Sequence, residues 1–106
     1  PTFSQRIVVY NPAKGERVQS GFLLRGDAQV FEAVSNYQLI GENGALLSEG
    51  PLMATAGAPE FGRFSKNINF SVTREQPAVL RVFERSAADG SIVLNTLVNI
   101  PLVVAP

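Results

Sequence analysis

Four carboxylates stand where the chain changes direction: Asp27, Glu32, Glu84 and Asp89. Carboxylates gathered at loop ends can bind calcium, which takes several oxygen ligands. Two of them facing across a cleft can act as acid and base on a glycoside. The surrounding pattern favours a plainer role. No Asp-x-Asp loop of the calcium-binding type is present. A single carboxylate at a strand end ordinarily accepts hydrogen bonds from backbone N–H groups of a turn. Glu32, Glu84 and Asp89, with Arg85, are therefore candidate structural anchors. Glu32 is expected to brace a strand crossover by accepting backbone or guanidinium hydrogen bonds, with Arg81 and Arg85 as partners.

Other chemistry has fewer residues to draw on. The 106 residues include no Cys and no His. There is then no thiol nucleophile, no imidazole base and no Cys or His metal ligand. No Gly-x-Ser-x-Gly elbow appears, and the glycines sit singly at turns rather than before a helix, so no phosphate loop is formed. Asn69-Phe70-Ser71 matches a glycosylation triplet but falls inside a predicted strand and is discounted. Lys plus Arg is 9 and Asp plus Glu is 9, a net charge of zero. A neutral chain without a basic patch does not attract nucleic acid. No apolar run is long enough to span a membrane as a helix. Neither an enzyme nor a cofactor is expected.

The elements that would position these side chains are strands. Hydrophobic residues make up 45% and charged residues 17% of the chain, a composition that folds. Ile7 to Tyr10 is β-branched and aromatic, and Asn11-Pro12 ends it. Phe22 to Ala28 alternates, with Phe22, Leu24, Gly26 and Ala28 on the core face and Leu23, Arg25 and Asp27 outward. Gly26 on that face is expected to let the opposite sheet approach closely, or to mark a bulge. Val34 to Ile40 follows, with Tyr37 and Leu39 on one face. Asn43-Gly44 is a hairpin turn with positive φ cheap at both positions, and Ala45 to Glu49 returns from it. Gly50 to Gly62 is irregular, with a short edge strand at Leu52 to Thr55.

Phe64 to Val72 alternates again, except that Lys66 interrupts the inward row and points to a sheet edge. Ala78 to Arg85 is a strand of ambiguous parity. Leu80 and Val82 inward would carry Glu84 inward too, and that parity is favoured. Asp89-Gly90 is a second hairpin turn. Ile92 to Val104 is the last strand, with Val98, Ile100 and Leu102 inward.

No apolar pattern of helical period persists. About seven antiparallel strands punctuated by Gly, Pro and Asn point to an all-β sandwich of two sheets, immunoglobulin-like in topology, with a small closed barrel as the alternative. Residues 1–106 are expected to form one domain, a piece of a longer protein.

Two stretches share the tripeptide Val-Phe-Glu: Gly26-Asp27-Ala28-Gln29-Val30-Phe31-Glu32-Ala33 and Val82-Phe83-Glu84-Arg85-Ser86-Ala87-Ala88-Asp89-Gly90. With Ile7 to Pro12, Gly44 to Glu49 and Gly62-Arg63-Phe64, they resemble the immunoglobulin-like domain of bacterial spore germination and sporulation proteins. The resemblance implies an extracytoplasmic location and a non-catalytic accessory role at the cell envelope or spore. It transfers no catalytic residue and no cofactor. Its expected partner is another envelope protein or a neighbouring domain of the same chain. The alternative is a carbohydrate- or peptidoglycan-binding domain gripping cell-wall glycan. Phe31, Phe61 and Phe83 are the candidate contact-surface residues, and the loop Leu52 to Phe61 is a further contact candidate.

Overall fold

Alternation becomes structure most directly at Phe22–Ala28, where Leu24, Gly26 and Ala28 are buried and Leu23 and Arg25 are exposed. The computed structural model describes residues 1–106. Nine strands follow one another: β1 (Thr2–Phe3), β2 (Ile7–Asn11), β3 (Arg17–Val18), β4 (Phe22–Ala28), β5 (Val34–Gly41), β6 (Leu46–Met53), β7 (Gly62–Ile68), β8 (Gln76–Phe83) and β9 (Val98–Val104). They form two sheets, ordered β1-β2-β4-β7 and β3-β9-β8-β5-β6. The expected sandwich is present. The strand count exceeds seven because β1 and β3 are two-residue pieces at sheet margins. The pair β3–β9 is parallel, a departure from the all-antiparallel expectation.

The core lies between the layers. One sheet contributes Ile7, Val9, Leu24, Phe64 and Ile68, and the other Leu39, Leu80, Val82, Ile100 and Leu102. Burying each such side chain is worth about 1.5–3 kcal/mol. The ambiguous strand resolves with Ala78, Leu80 and Val82 inward, and Glu84 continues that inward row.

Several local expectations changed. The return strand Leu46–Met53 runs on through Gly50-Pro51, where an irregular stretch with a separate edge strand at Leu52 to Thr55 was expected. In the Asn43-Gly44 hairpin only Gly44 takes positive φ, +79°, and its N–H donates to the Gly41 carbonyl at 3.0 Å. Asn43 stays out of the left-handed region because the turn centres one residue earlier, with Gly44 as the left-handed residue after it. The strand through Phe64 stops at Ile68 rather than Val72, since the Phe70 N–H donates to the Ser20 hydroxyl at 3.0 Å instead of a strand neighbour. The last strand begins at Val98, not Ile92. Ile92 makes one isolated bridge to Arg85, and Leu94–Thr96 forms a single 3-10 turn. The Thr96 hydroxyl donates to the Val93 carbonyl at 2.6 Å, a local bond that competes with the strand ladder.

Lys66 sits on β7, at the edge of its sheet, as the broken row suggested. Its ammonium spans to the edge of the other sheet. It donates to the Pro51 carbonyl at 3.0 Å and lies 5.4 Å from the Tyr37 ring centroid. An inward charge and a proline together make poor templates for a further strand at these margins.

Gly26 is where β2, β4 and β7 crowd most. A Cβ there would lie 2.1 Å from the Val8 carbonyl oxygen and 2.6 Å from Phe64 Cζ. The close approach is thus within one sheet, to its own neighbours. Gly26→Ala is expected to lower unfolding free energy by about 2–3 kcal/mol in urea denaturation. A change below about 0.5 kcal/mol would show that backbone and ring move aside freely.

Candidate functional site

The two Val-Phe-Glu segments meet at one end of the sandwich. The first leaves β4 at Ala28, passes from one sheet to the other, and enters β5 at Val34. Between them Phe31–Ala33 makes a single tight turn, closed by the Val34 N–H donating to the Phe31 carbonyl. Glu32 and Ala33 both take positive φ there, 52° and 63°. The left-handed region costs a non-glycine residue roughly 1–2 kcal/mol, so the turn needs support.

Support comes from the second segment. Glu84 follows the inward row of β8 and is only 6% exposed. A buried carboxylate must find donors. Its Oε2 accepts the Phe31 N–H at 2.8 Å, and its Oε1 lies 3.7 Å from the Arg6 guanidinium. The Glu84 backbone is also bound: its N–H donates to the Thr96 hydroxyl at 2.9 Å, and its carbonyl accepts the Val93 N–H at 2.8 Å. The loop Ala54 to Phe61 then closes over the turn. The Ala58 N–H donates to the Val30 carbonyl at 2.9 Å, and the Ala54 N–H to the Ala33 carbonyl at 2.8 Å. The Gln29 side-chain amide reaches the Pro59 carbonyl at 2.5 Å.

Glu32 does not act as the anchor. It is exposed on the turn and has no bond to Arg81 or Arg85. The bracing carboxylate is Glu84, because strand parity turns Glu84 inward while the turn throws Glu32 outward. Arg85 serves its own turn, donating to the Gly90 carbonyl at 3.0 Å. Asp89 closes the same turn by accepting the Ser91 hydroxyl at 2.7 Å and the Ser91 N–H at 3.0 Å. These bonds, the hydroxyl's first, hold its carboxyl below the ordinary value of 3.8. Asp27, Glu32, Glu84 and Asp89 do not converge, and no group of three or more acidic side chains could hold a metal ion.

The aromatic candidates divide. Phe31 is 58% and Phe61 52% exposed, both in loops at this end. Phe83 is not on the surface at all. It lies on the outward side of β8, but the Arg85 and Arg81 guanidiniums lie 5.2 and 5.9 Å from its ring centroid and cover it. Two further exposed apolar residues lie at the same end: Met53 at 64%, inside the expected contact stretch Leu52 to Phe61, and Leu94 at 78%, which the sequence did not single out. Leu94 was hidden by the expectation of a strand from Ile92. Met53 is the last residue of β6, paired with Val34, rather than part of an irregular loop.

A family model described as the immunoglobulin-like domain of bacterial spore germination matches residues 6–91, a span that includes both Val-Phe-Glu segments. The chain belongs to that family. No curated protein sequence matches it. Among solved structures, CopC from Methylosinus trichosporium OB3b is similar, with 19% identity and a TM-score of 0.52 over 100% of this chain and 95% of that one. An engineered protein is similar with 12% identity and a TM-score of 0.55, over 94% of this chain and 20% of that one. At these identities the likeness is one of fold. No helix of this immunoglobulin-like domain is long and apolar enough to cross a membrane.

Exchanging the two glutamates separates their roles. Glu84→Ala orphans the Phe31 N–H and is expected to cost about 1–3 kcal/mol by urea denaturation. Glu32→Ala is expected to stay within about 0.5 kcal/mol of wild type, and Glu32→Gly to gain about 0.5 kcal/mol by relieving the left-handed strain. Equal losses at both positions would contradict the assignment.

Asp89 supplies a pH signature. A lowered folded pKa means that its bracing is complete above 3.8 and fades as pH falls through the lowered value. Carbon-detected NMR titration is expected to find the Asp89 midpoint below 3.8 in wild type and nearer 3.8 in Ser91→Ala. An unchanged midpoint would remove Ser91 as the cause.

Proposed function

We propose that this domain is a non-catalytic interaction module of an extracytoplasmic protein of the bacterial envelope or spore. Its docking face is the loop end that carries Phe31, Phe61, Met53 and Leu94. The observation that carries the reading is Phe31: an aromatic ring held in solvent by a strained turn that is bonded to a buried carboxylate. Strain kept at a surface turn is characteristic of sites that meet a partner. Exposed aromatics and Met on loops over a rigid sandwich are also what protein interfaces favour. The partner fitted by this face is a protein with an apolar pocket, carried on a separate chain or on a neighbouring domain. The extracytoplasmic setting is supported by the family. A non-catalytic role is supported by the dispersal of the carboxylates, which leaves no pair in one cleft to share acid and base work.

A photo-crosslinking amino acid placed at Phe31, Phe61 or Leu94 in the full-length protein, in its own host, tests the face. A discrete adduct is expected from each of these positions and not from Asn43, at the tip of the β5–β6 hairpin. Adducts of equal yield from Asn43, or none from the three loop-end positions, would overturn the proposal.

A further inference from the structure

The outer face of the sheet β1-β2-β4-β7 holds a groove whose chemistry differs from the loop end. Asp27 and Arg63 are register partners on β4 and β7, and Arg25 and Ser65 are the next outward pair. The segment after β6 forms a wall beside them. The Thr55 N–H donates to the Arg63 carbonyl at 3.0 Å, and the Arg63 N–H returns to the Thr55 hydroxyl at 2.9 Å. Met53, the last residue of β6, supplies an apolar patch at the head of that wall, and the half-open groove has a volume of about 480 Å³. That volume lies in the range of small-molecule sites.

The groove has spare hydrogen-bonding capacity of both signs. The domain's three ion pairs engage Arg6, Arg17 and Arg74. Arg25 and Arg63 take part in none of them. Arg25 is instead stacked over Tyr10, with its guanidinium carbon 5.2 Å from the ring centroid. The Tyr10 hydroxyl donates to Asp27 Oδ2 at 2.8 Å, which fixes the carboxylate and leaves its other oxygen free to accept. In a domain of zero net charge this is a local excess of positive charge, two guanidiniums against one carboxylate.

A simple inorganic anion would meet repulsion from Asp27. A neutral sugar would leave both guanidiniums without the carboxylate they fit best. A carboxylate flanked by hydroxyl donors satisfies all three groups. We propose that the groove between Arg25, Asp27 and Arg63 binds a sugar acid, its carboxylate on the two guanidiniums and a neighbouring hydroxyl on Asp27. The site takes either a free uronate or a uronate unit of an acidic polysaccharide. It shares Met53 with the protein-docking face but none of Phe31, Phe61 or Leu94, and it does not depend on that face having a partner.

Tyrosine emission reports on the site directly, since the chain has no Trp and only two Tyr, Tyr10 and Tyr37. Titration with a glucuronate trimer, a neutral glucose trimer, monomeric glucuronate and sodium sulfate decides the chemistry. The glucuronate trimer is expected to bind saturably, at least about tenfold tighter than the glucose trimer or sulfate, and more weakly as salt rises. Tighter binding of the trimer than the monomer assigns the polysaccharide source, and equal binding the free acid. Arg63→Gln and Asp27→Asn are each expected to lose at least about tenfold with their melting transitions still cooperative. Phe31→Ser/Phe61→Ser, which alters only the loop end, should bind the trimer as wild type does. No saturable binding of either glucuronate, glucose trimer binding as tightly, sulfate binding as tightly, wild-type affinity in both groove variants, or loss in the loop-end variant would each overturn the proposal.

Discussion

A carboxylate buried at the end of β8 holds the chain's passage from one sheet to the other. Glu84 is taken out of water by the parity of its strand, and it recovers its lost hydration from the Phe31 N–H and the Arg6 guanidinium. A hydrogen bond to a charged group is worth about 1.5–3 kcal/mol net. Placing one non-glycine residue in the left-handed region costs about 1–2 kcal/mol. The two magnitudes are close, so a single charged bond can offset most of the strain at one turn residue. The loop Ala54 to Phe61 adds backbone bonds of its own to Val30 and Ala33. The site is therefore a joint product of three separate stretches of sequence, and none of them would hold its shape alone.

The layered core was legible from the sequence because alternation in a strand translates directly into burial. Leu24, Phe64, Ile68 and Leu80 lie where a period of two puts them. Glu84's inward position was legible for the same reason, once Leu80 and Val82 were taken as core. What the pattern could not convey was the choice between two glutamates in the same tripeptide. Glu32 and Glu84 have identical immediate neighbours on their N-terminal side. Their fates diverge because one lies at the end of a strand and the other on a turn in the left-handed region. The hiding of Phe83 was equally out of reach, because its cover comes from Arg81 and Arg85, residues that composition alone assigns to solvent. Thr96 shortened the last strand through a bond to its own backbone neighbourhood, an effect decided within four residues and invisible to alternation.

The two surfaces of this family member differ in kind. The loop end is apolar and is built on the strained turn, whose geometry depends on Glu84. The sheet groove is polar and rests on the regular register of β4 with β7, reinforced by Thr55. Loops on a rigid sandwich can vary without disturbing the core, whereas a groove on a sheet face inherits the sheet's precision.

Amide hydrogen exchange at Phe31 reaches the central bond most directly. Its side chain is largely in solvent, so an amide left to water would exchange at the rate of an exposed loop. The bond to Glu84 implies protection comparable to the neighbouring strand amides of β4 and β5, and loss of that protection at Phe31 in Glu84→Ala while the strands stay protected. Fast exchange at Phe31 in the wild-type domain would mean that Glu84 does not hold the turn.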